Sequence, residues 1–230
     1  MKKLFIVLLL LLSFICITAF ILNKFRENDS YSDIKRTAKD ALPEFLNYIP
    51  EGFESKYGFN SRNEFSMADI GNVYEVYTIS IDFLSMPGTD LKLFVKPIEQ
   101  FRVEVIVNNE VRTFVNVSKV NSKYKVVDLG GVELSKEFER ILKDARDVNP
   151  RRIIFRLFQA ECDFLATTSN FENAMTGGNK IESFNFYATL SSRIIFRNNN
   201  LIPGKIYSFT ELEPLIREKY SETVNEGGVK

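Results

Sequence analysis

Glu161 and Asp163 are the two side chains of this sequence that could carry out chemistry as a pair. They occupy positions i and i+2 of a predicted strand, so both fall on one face with their backbones about 7 Å apart. Two carboxylates near this spacing can hydrolyse a glycosidic bond, one as acid and the other as base or nucleophile. The simpler interpretation is a solvent-facing strand edge where these acids lie opposite Lys or Arg. The sequence therefore nominates the two acids without assigning a catalytic residue.

Most other catalytic and metal-binding chemistry lacks its usual residues. The chain contains no histidine, so the commonest general base and metal ligand is missing. Cys162 has no histidine to activate its thiol and is predicted to be a small buried core residue. A zinc site would need histidines or a cysteine cluster, and a calcium site would need closely spaced carboxylates. We therefore predict no metal and no cofactor, and we favour a non-enzymatic role.

The charge balance argues against nucleic acid as a partner. The sequence has 30 Lys and Arg residues against 30 Asp and Glu residues, whereas a nucleic-acid-binding protein concentrates basic residues on one face. Gly130-Gly131 precedes a predicted helix, as in a phosphate-binding turn, but the third glycine and the βαβ context of a dinucleotide site are missing. These glycines are predicted to allow a sharp turn from strand to helix.

A long polar loop over residues 167–180 carries the candidate binding residues. Phe171 and Met175 stand there among Ser, Asn, Thr and Gly, and long loops in compact domains are often functional. Two interpretations remain open. The two side chains form an exposed docking patch for a partner, or they fold back onto the core.

Hydrophobic periodicity indicates the elements that must position these residues. Apolar residues at the 3.6-residue period predict helices over residues 32–49 and 133–145. Between these helices, alternating runs at residues 101–107, 111–120 and 124–129 are joined by short polar turns. This pattern is typical of an antiparallel meander with one solvated face.

The remaining elements complete an α+β fold. Residues 151–167 are predicted to form one long strand, and residues 181–190 and 193–197 an antiparallel pair. Thr210, with Glu213 three residues later, predicts a capping box at the start of a last helix. Runs of strands with helices set between them indicate an antiparallel β-meander sheet with helices packed on one face.

The N-terminal segment predicts a location outside the cytoplasm. Lys2 and Lys3 precede residues 4–22, an uncharged and mostly apolar run. As a helix this run would span about 28 Å, close to the hydrocarbon core of a bilayer. Residues 1–22 are predicted to be either a cleaved signal peptide or an uncleaved membrane anchor, and both alternatives export the rest of the chain.

Beyond the leader the sequence predicts a single folded unit. Residues 23–31 form a polar tether, residues 32–222 one α+β domain with a sub-boundary near 146–150, and residues 223–230 a frayed tail. We predict a binding module of the bacterial cell envelope, secreted or anchored through residues 4–22, with a protein or envelope partner. The alternatives are a structural or assembly subunit of an envelope complex, and a hydrolase that uses acids alone.

Overall fold

The computed structural model describes residues 31–86, 88–144, 151–168 and 180–226. The predicted leader, the tether up to residue 30, and the loop residues Phe171 and Met175 lie outside the described residues. None of the helices within the described ranges is long and apolar enough to cross a membrane.

Within the described ranges, eight strands form one sheet in which the neighbouring strands are β4-β3-β2-β1-β5-β6-β7-β8. Their bounds are β1 Asp69–Ile79, β2 Val95–Val107, β3 Glu110–Val120, β4 Lys123–Gly130, β5 Arg151–Leu157, β6 Cys162–Thr168, β7 Asn185–Ala188 and β8 Ile206–Tyr207. The helices are α1 over residues 31–47, α2 Val132–Asp144, α3 Leu190–Ile195 and α4 Phe209–Glu226. The structure therefore confirms a mixed α+β fold with helices packed against a large sheet.

The sheet consists of two antiparallel halves that meet at one parallel pair. Strands β1 to β4 pair consecutively, as do strands β5 to β8. The halves join where β1 runs parallel to β5, with Val76 beside Ile154. A helix precedes each half, α1 the first and α2 the second. The predicted meander is therefore confirmed for β2, β3 and β4.

Helices cover both faces of the sheet, whereas the sequence predicts helices on one face. Ile153 and Ile154 are consecutive on β5 and point to opposite faces. Ile153 packs in the cluster that contains Leu212 of α4, and Ile154 packs in the cluster that contains Phe138 of α2. Ile153 lies beside Glu75 of β1, so both side chains point to the same face. Glu75 accepts a hydrogen bond from Tyr31 of α1, so α1 lies on the same face as α4. We name the two surfaces the α1 face and the α2 face.

The second half of the chain differs from its predicted elements. The predicted strand over residues 151–167 is a hairpin, because the chain turns back at Phe158–Glu161 and Glu161 adopts a φ of 52°. The predicted strand at residues 193–197 is the end of α3 and a following helical turn. The last helix begins at Phe209. The predicted capping box at Thr210 would start this helix two residues later.

Candidate functional site

The α2 face is covered by helix over only part of its area. Helix α2 packs over Tyr74, Phe114 and Leu165. Next to this covered part, the strands leave a groove of 300 Å³ that runs across the sheet from β4 to β5. We name it the α2-face groove. Its polar lining consists of Gln100, Arg102, Asn116, Ser118, Asp128 and Arg156.

Strand register brings these side chains together. Gln100 of β2 lies opposite Ser118 of β3, and Arg102 lies opposite Asn116. Residues two apart on a strand point to the same face, so these positions form two adjacent rows. Arg156 follows Ile154 by two residues and therefore points to the α2 face as well. The parallel contact between β1 and β5 thus places arginines from the two halves of the sheet along one groove.

Asp163 of β6 lies directly opposite Arg156 and contacts both arginines. Its carboxylate oxygens are 3.4 and 3.5 Å from Arg156 Nη1, and one of them is 3.7 Å from Arg102 Nη1. Arginine–carboxylate pairs elsewhere in the described residues are closer, from 2.6 Å between Arg151 and Glu75 to 3.3 Å between Arg62 and Glu54. Two guanidinium groups therefore share one carboxylate, and both hold it loosely.

The arginine and aspartate side chains of this site are shielded from water, which strengthens the interactions between their charges. The Arg102 side chain is 15% exposed and that of Asp163 is 11% exposed. Burial lowers the pKa of Arg102, as does the nearby Arg156, while Asp163 opposes the shift. The Nε of Arg156 is buried and has no hydrogen-bond partner among the described residues. Charge-assisted hydrogen bonds are strong in such surroundings, so an anion that reaches these groups gains more than it would at an open surface.

The rim of the groove adds positive charge and apolar surface. Lys123 and Lys125 of β4 are exposed, and their register with Val120 and Ser118 directs them to the α2 face. Phe158 is 43% exposed and lies beneath the Arg156 guanidinium, 5.2 Å from the ring centre. Four cationic side chains thus accompany Asp128 and Asp163 on this part of the face, and the surface suits an anionic group attached to a partly apolar molecule.

The two nominated acids occupy different surroundings. Asp163 lies in β6 between the arginines, which agrees with the interpretation that places it opposite Arg, although its side chain is buried rather than solvent-facing. Glu161 precedes the strand, in the turn, and is exposed. Strand β6 begins at Cys162, one residue after Glu161, so it does not place the two carboxylates on one face.

Cys162 is buried at the start of β6, and the sequence prediction of a core residue is confirmed. Burial raises the pKa of its thiol to about 12, with Asp163 acting in the same direction. A thiol with this pKa carries almost no thiolate near neutral pH, and the thiolate is the nucleophile. Within the described ranges no group of three or more acidic or cysteine side chains is placed to hold a metal ion.

A second cavity of 460 Å³ lies between α2 and α3. Glu137 of α2 accepts hydrogen bonds from Leu190 N at 2.8 Å and from Arg193 Nη2 at 3.1 Å. These contacts fasten α3 to α2 below the exposed side chains of Leu190 and Ile194. Glu137 and Arg193 are therefore engaged with each other, and Asp163, which also lines this cavity, contacts the two arginines of the groove.

Sequence reasoning nominated neither Arg102 nor Arg156 as a functional residue. Arg102 and Glu104 are the charged residues of the alternating run at residues 101–107, and both point to the α2 face, where Glu104 is buried. Two charged residues at interior positions of an alternating strand could have indicated this site from the sequence, because buried charges need partners. Comparison with protein families, with curated proteins and with solved structures gives no match to this chain.

Proposed function

We propose that this chain is a non-enzymatic binding module of the bacterial cell envelope, exported or anchored through residues 4–22. In this proposal the α2-face groove binds an anionic group of the partner. The supporting observation is the pair Arg102 and Arg156, which share one loosely held carboxylate beside an open groove.

The chemistry of these groups favours binding over catalysis. A guanidinium group remains protonated at neutral pH and is a hydrogen-bond donor only. Its planar fork fits the two oxygens of a carboxylate, which is why arginine recurs where such anions are recognised. Asp163 contacts both arginines at 3.4 Å and 3.7 Å, so a carboxylate already occupies part of this site. The groove can therefore hold and orient an anion.

The composition of the groove favours a ligand with both polar and apolar parts. Its floor carries Gln100, Asn116 and Ser118, while Val127 and Phe158 contribute exposed apolar surface along its sides. Pockets that bind small molecules or peptide segments combine apolar walls with a few polar groups in this manner. Arginine and aromatic side chains are also the residues that contribute most to binding energy at interfaces.

Site-specific photocrosslinking in the native cell tests this proposal. A photoreactive amino acid in place of Phe158 should capture a defined partner, and the same replacement at Tyr48 should not. Tyr48 is a matched control because it is also an exposed aromatic residue, 69% exposed at the end of α1. Capture from position 158 should disappear when Arg102 and Arg156 are both changed to Gln. Capture that survives the double change would overturn the proposed site.

The proposed location has its own test. Alkaline phosphatase fused to the C-terminus should be active, since it folds only outside the cytoplasm, and an inactive fusion would contradict export. An assembly subunit would instead be isolated as a stable oligomer, which the molar mass of the purified full-length protein measures. That outcome would favour the structural role over the binding module.

A further inference from the structure

We infer that the α2-face groove binds the carboxyl terminus of a peptide, and that Asp163 is an internal competitor for the arginines that receive it. This inference rests on the proposed function and specifies its ligand. The carboxylate of Asp163, 3.4 Å from Arg156 and 3.7 Å from Arg102, shows which chemical group the two guanidinium groups are arranged to meet.

The distances explain how a ligand can replace this internal carboxylate. Charge-assisted hydrogen bonds between guanidinium and carboxylate groups are about 2.7 to 2.9 Å long. Asp163 remains outside this range because its backbone is fixed in β6, where its N–H donates to the Ser191 hydroxyl and its carbonyl accepts from Thr189. A carboxylate on a mobile ligand is free of this restraint and can approach either fork closely.

The floor of the groove favours a peptide over a simple organic acid. Gln100, Asn116 and Ser118 line the groove beyond the arginines. Amide and hydroxyl side chains both donate and accept hydrogen bonds, as the peptide groups of a ligand backbone require. An apolar chain would bury these groups without new partners, which is unfavourable.

The dimensions of the groove fit a short segment. The groove crosses from β4 to β5 through β3, β2 and β1, which is four strand spacings. Spacings of about 4.8 Å give a length near 19 Å, and an extended chain advances about 3.3 Å per residue. The last five or six residues of a peptide therefore span it, with the terminal carboxylate at the β5 end and the preceding residues toward Lys123 and Lys125.

Titration of the full-length protein in detergent micelles with two matched peptides tests the inference. The probes are acetyl-Ala-Ser-Ala-Ser-Asn-Leu with a free carboxyl terminus and the same peptide as a carboxamide, followed through the NMR signals of the arginine Nε–H groups. The free acid should bind at least about tenfold more tightly than the carboxamide, because only the acid forms charge-assisted bonds. Equal affinities would overturn the assignment of the terminal carboxylate.

Variants separate competition by Asp163 from a general charge effect. Asp163→Asn should tighten binding of the free acid by roughly tenfold, because it removes a like charge from the site. Asp128→Asn removes a carboxylate that lines the groove itself and accepts from Asn116 at 3.2 Å, and it should have a smaller effect because Asp128 does not contact the arginine pair. Equal effects of the two changes would show that Asp163 is not a specific competitor.

A second variant tests the inference if Asp163→Asn is too unstable for a titration. The double change of Arg102 and Arg156 to Lys then replaces Asp163→Asn. Lysine keeps the charge without the fork, so binding of the free acid should weaken, and unchanged binding would overturn the inference.

Two further outcomes distinguish this inference from the proposed function. If octanoate binds the arginines and the peptide acid does not, the peptide assignment fails while the anion site stands. If neither binds and photocrosslinking at position 158 also fails, the proposed function itself is wrong.

Discussion

The Tyr74 hydroxyl donates a hydrogen bond of 2.5 Å to the carboxylate of Glu104, in the buried region where helix α2 meets the α2-face groove. Glu104 also accepts bonds from the backbone and the side chain of Asn72. A buried carboxylate is tolerated only when several donors compensate for its lost hydration. This contact therefore gives the buried Glu104 side chain a donor beneath α2, on the same face of β2 as Arg102.

Tyr74→Phe should destabilise the folded protein, whereas Tyr220→Phe should not. Tyr74→Phe removes a donor from a buried carboxylate, which costs about 1.5 to 3 kcal/mol. The Tyr220 hydroxyl is buried without a hydrogen-bond partner among the described residues. Its removal should leave stability unchanged or raise it by up to about 1 kcal/mol, because an unpaired buried hydroxyl is unfavourable.

Urea unfolding of both variants measures the difference through the transition midpoint, at a constant m-value. The two changes are matched, since each deletes one oxygen from a fully buried tyrosine. Equal losses of stability would show that the Tyr220 hydroxyl has a partner in solution.

Cys162 should be inert in the folded protein. Burial raises the pKa of its thiol to about 12, so at pH 8 the reactive thiolate is about one part in ten thousand. In a Cys16→Ser background, iodoacetamide should not label the native protein within hours and should label it completely in urea. Rapid labelling under native conditions would mean that the start of β6 opens to solvent.

Local periodicity predicts part of this fold and none of its long-range contacts. The strands β2, β3 and β4 alternate clearly in the sequence and pair with their neighbours through short turns, so the meander follows from the sequence. The parallel contact of β1 with β5 joins Val76 to Ile154, and no local pattern specifies it. Strands buried on both faces also lose their alternation, which hides the second layer of helix.

The candidate site depends on these long-range contacts. Arg102 and Arg156 come from different halves of the sheet and meet only because β1 and β5 are neighbours. The sequence nominates Asp163 for its i, i+2 spacing from Glu161, but the partner of Asp163 depends on the hairpin register that sets it opposite Arg156. That hairpin was predicted as a continuous strand because its turn, Phe158–Glu161, contains neither glycine nor proline.

Ser208, rather than Thr210, should prove to be the cap of the last helix. The Ser208 hydroxyl accepts from Glu211 N at 3.2 Å, and the Glu211 carboxylate accepts from Ser208 N at 2.7 Å. This reciprocal pair is a capping box. Ser208→Ala should therefore cost about 1 kcal/mol in urea unfolding, and Thr210→Ala should cost less than half of that. The reverse order would restore the cap predicted from the sequence.

Stability should be nearly independent of pH between roughly pH 6 and 7.5 and should fall as the solution becomes acidic. The chain has no histidine, so no side chain with an ordinary pKa titrates in that window apart from the N-terminal amine. The loss of stability at acidic pH, here called the acidic limb, comes from carboxylates whose charged form is better stabilised in the folded protein than in the unfolded chain.

Glu64 provides the clearest contribution to this limb. Burial acts to raise the pKa of Glu64, but hydrogen bonds from Asn60 and the charge of Arg112 outweigh burial, so the pKa is lowered. The bonds from Asn60 are 2.7 and 2.8 Å, and that from Arg112 is 2.9 Å. A lowered folded-state pKa means that the contribution is complete above the unfolded value of 4.5 and is lost as pH falls through the folded value.

Thermal melting of the wild type and of Glu64→Gln from pH 7.5 to pH 3 tests this account. The wild type should keep its melting temperature down to about pH 5 and then lose it progressively. Glu64→Gln should melt at a lower temperature near neutrality and should approach the wild type at pH 3, because the lost interaction is already absent there. Glu51→Gln, at an exposed position, should run parallel to the wild type. A steep change between pH 6 and 7.5 would instead reveal a strongly perturbed carboxyl group, and would revive acid–base catalysis as a function of this fold.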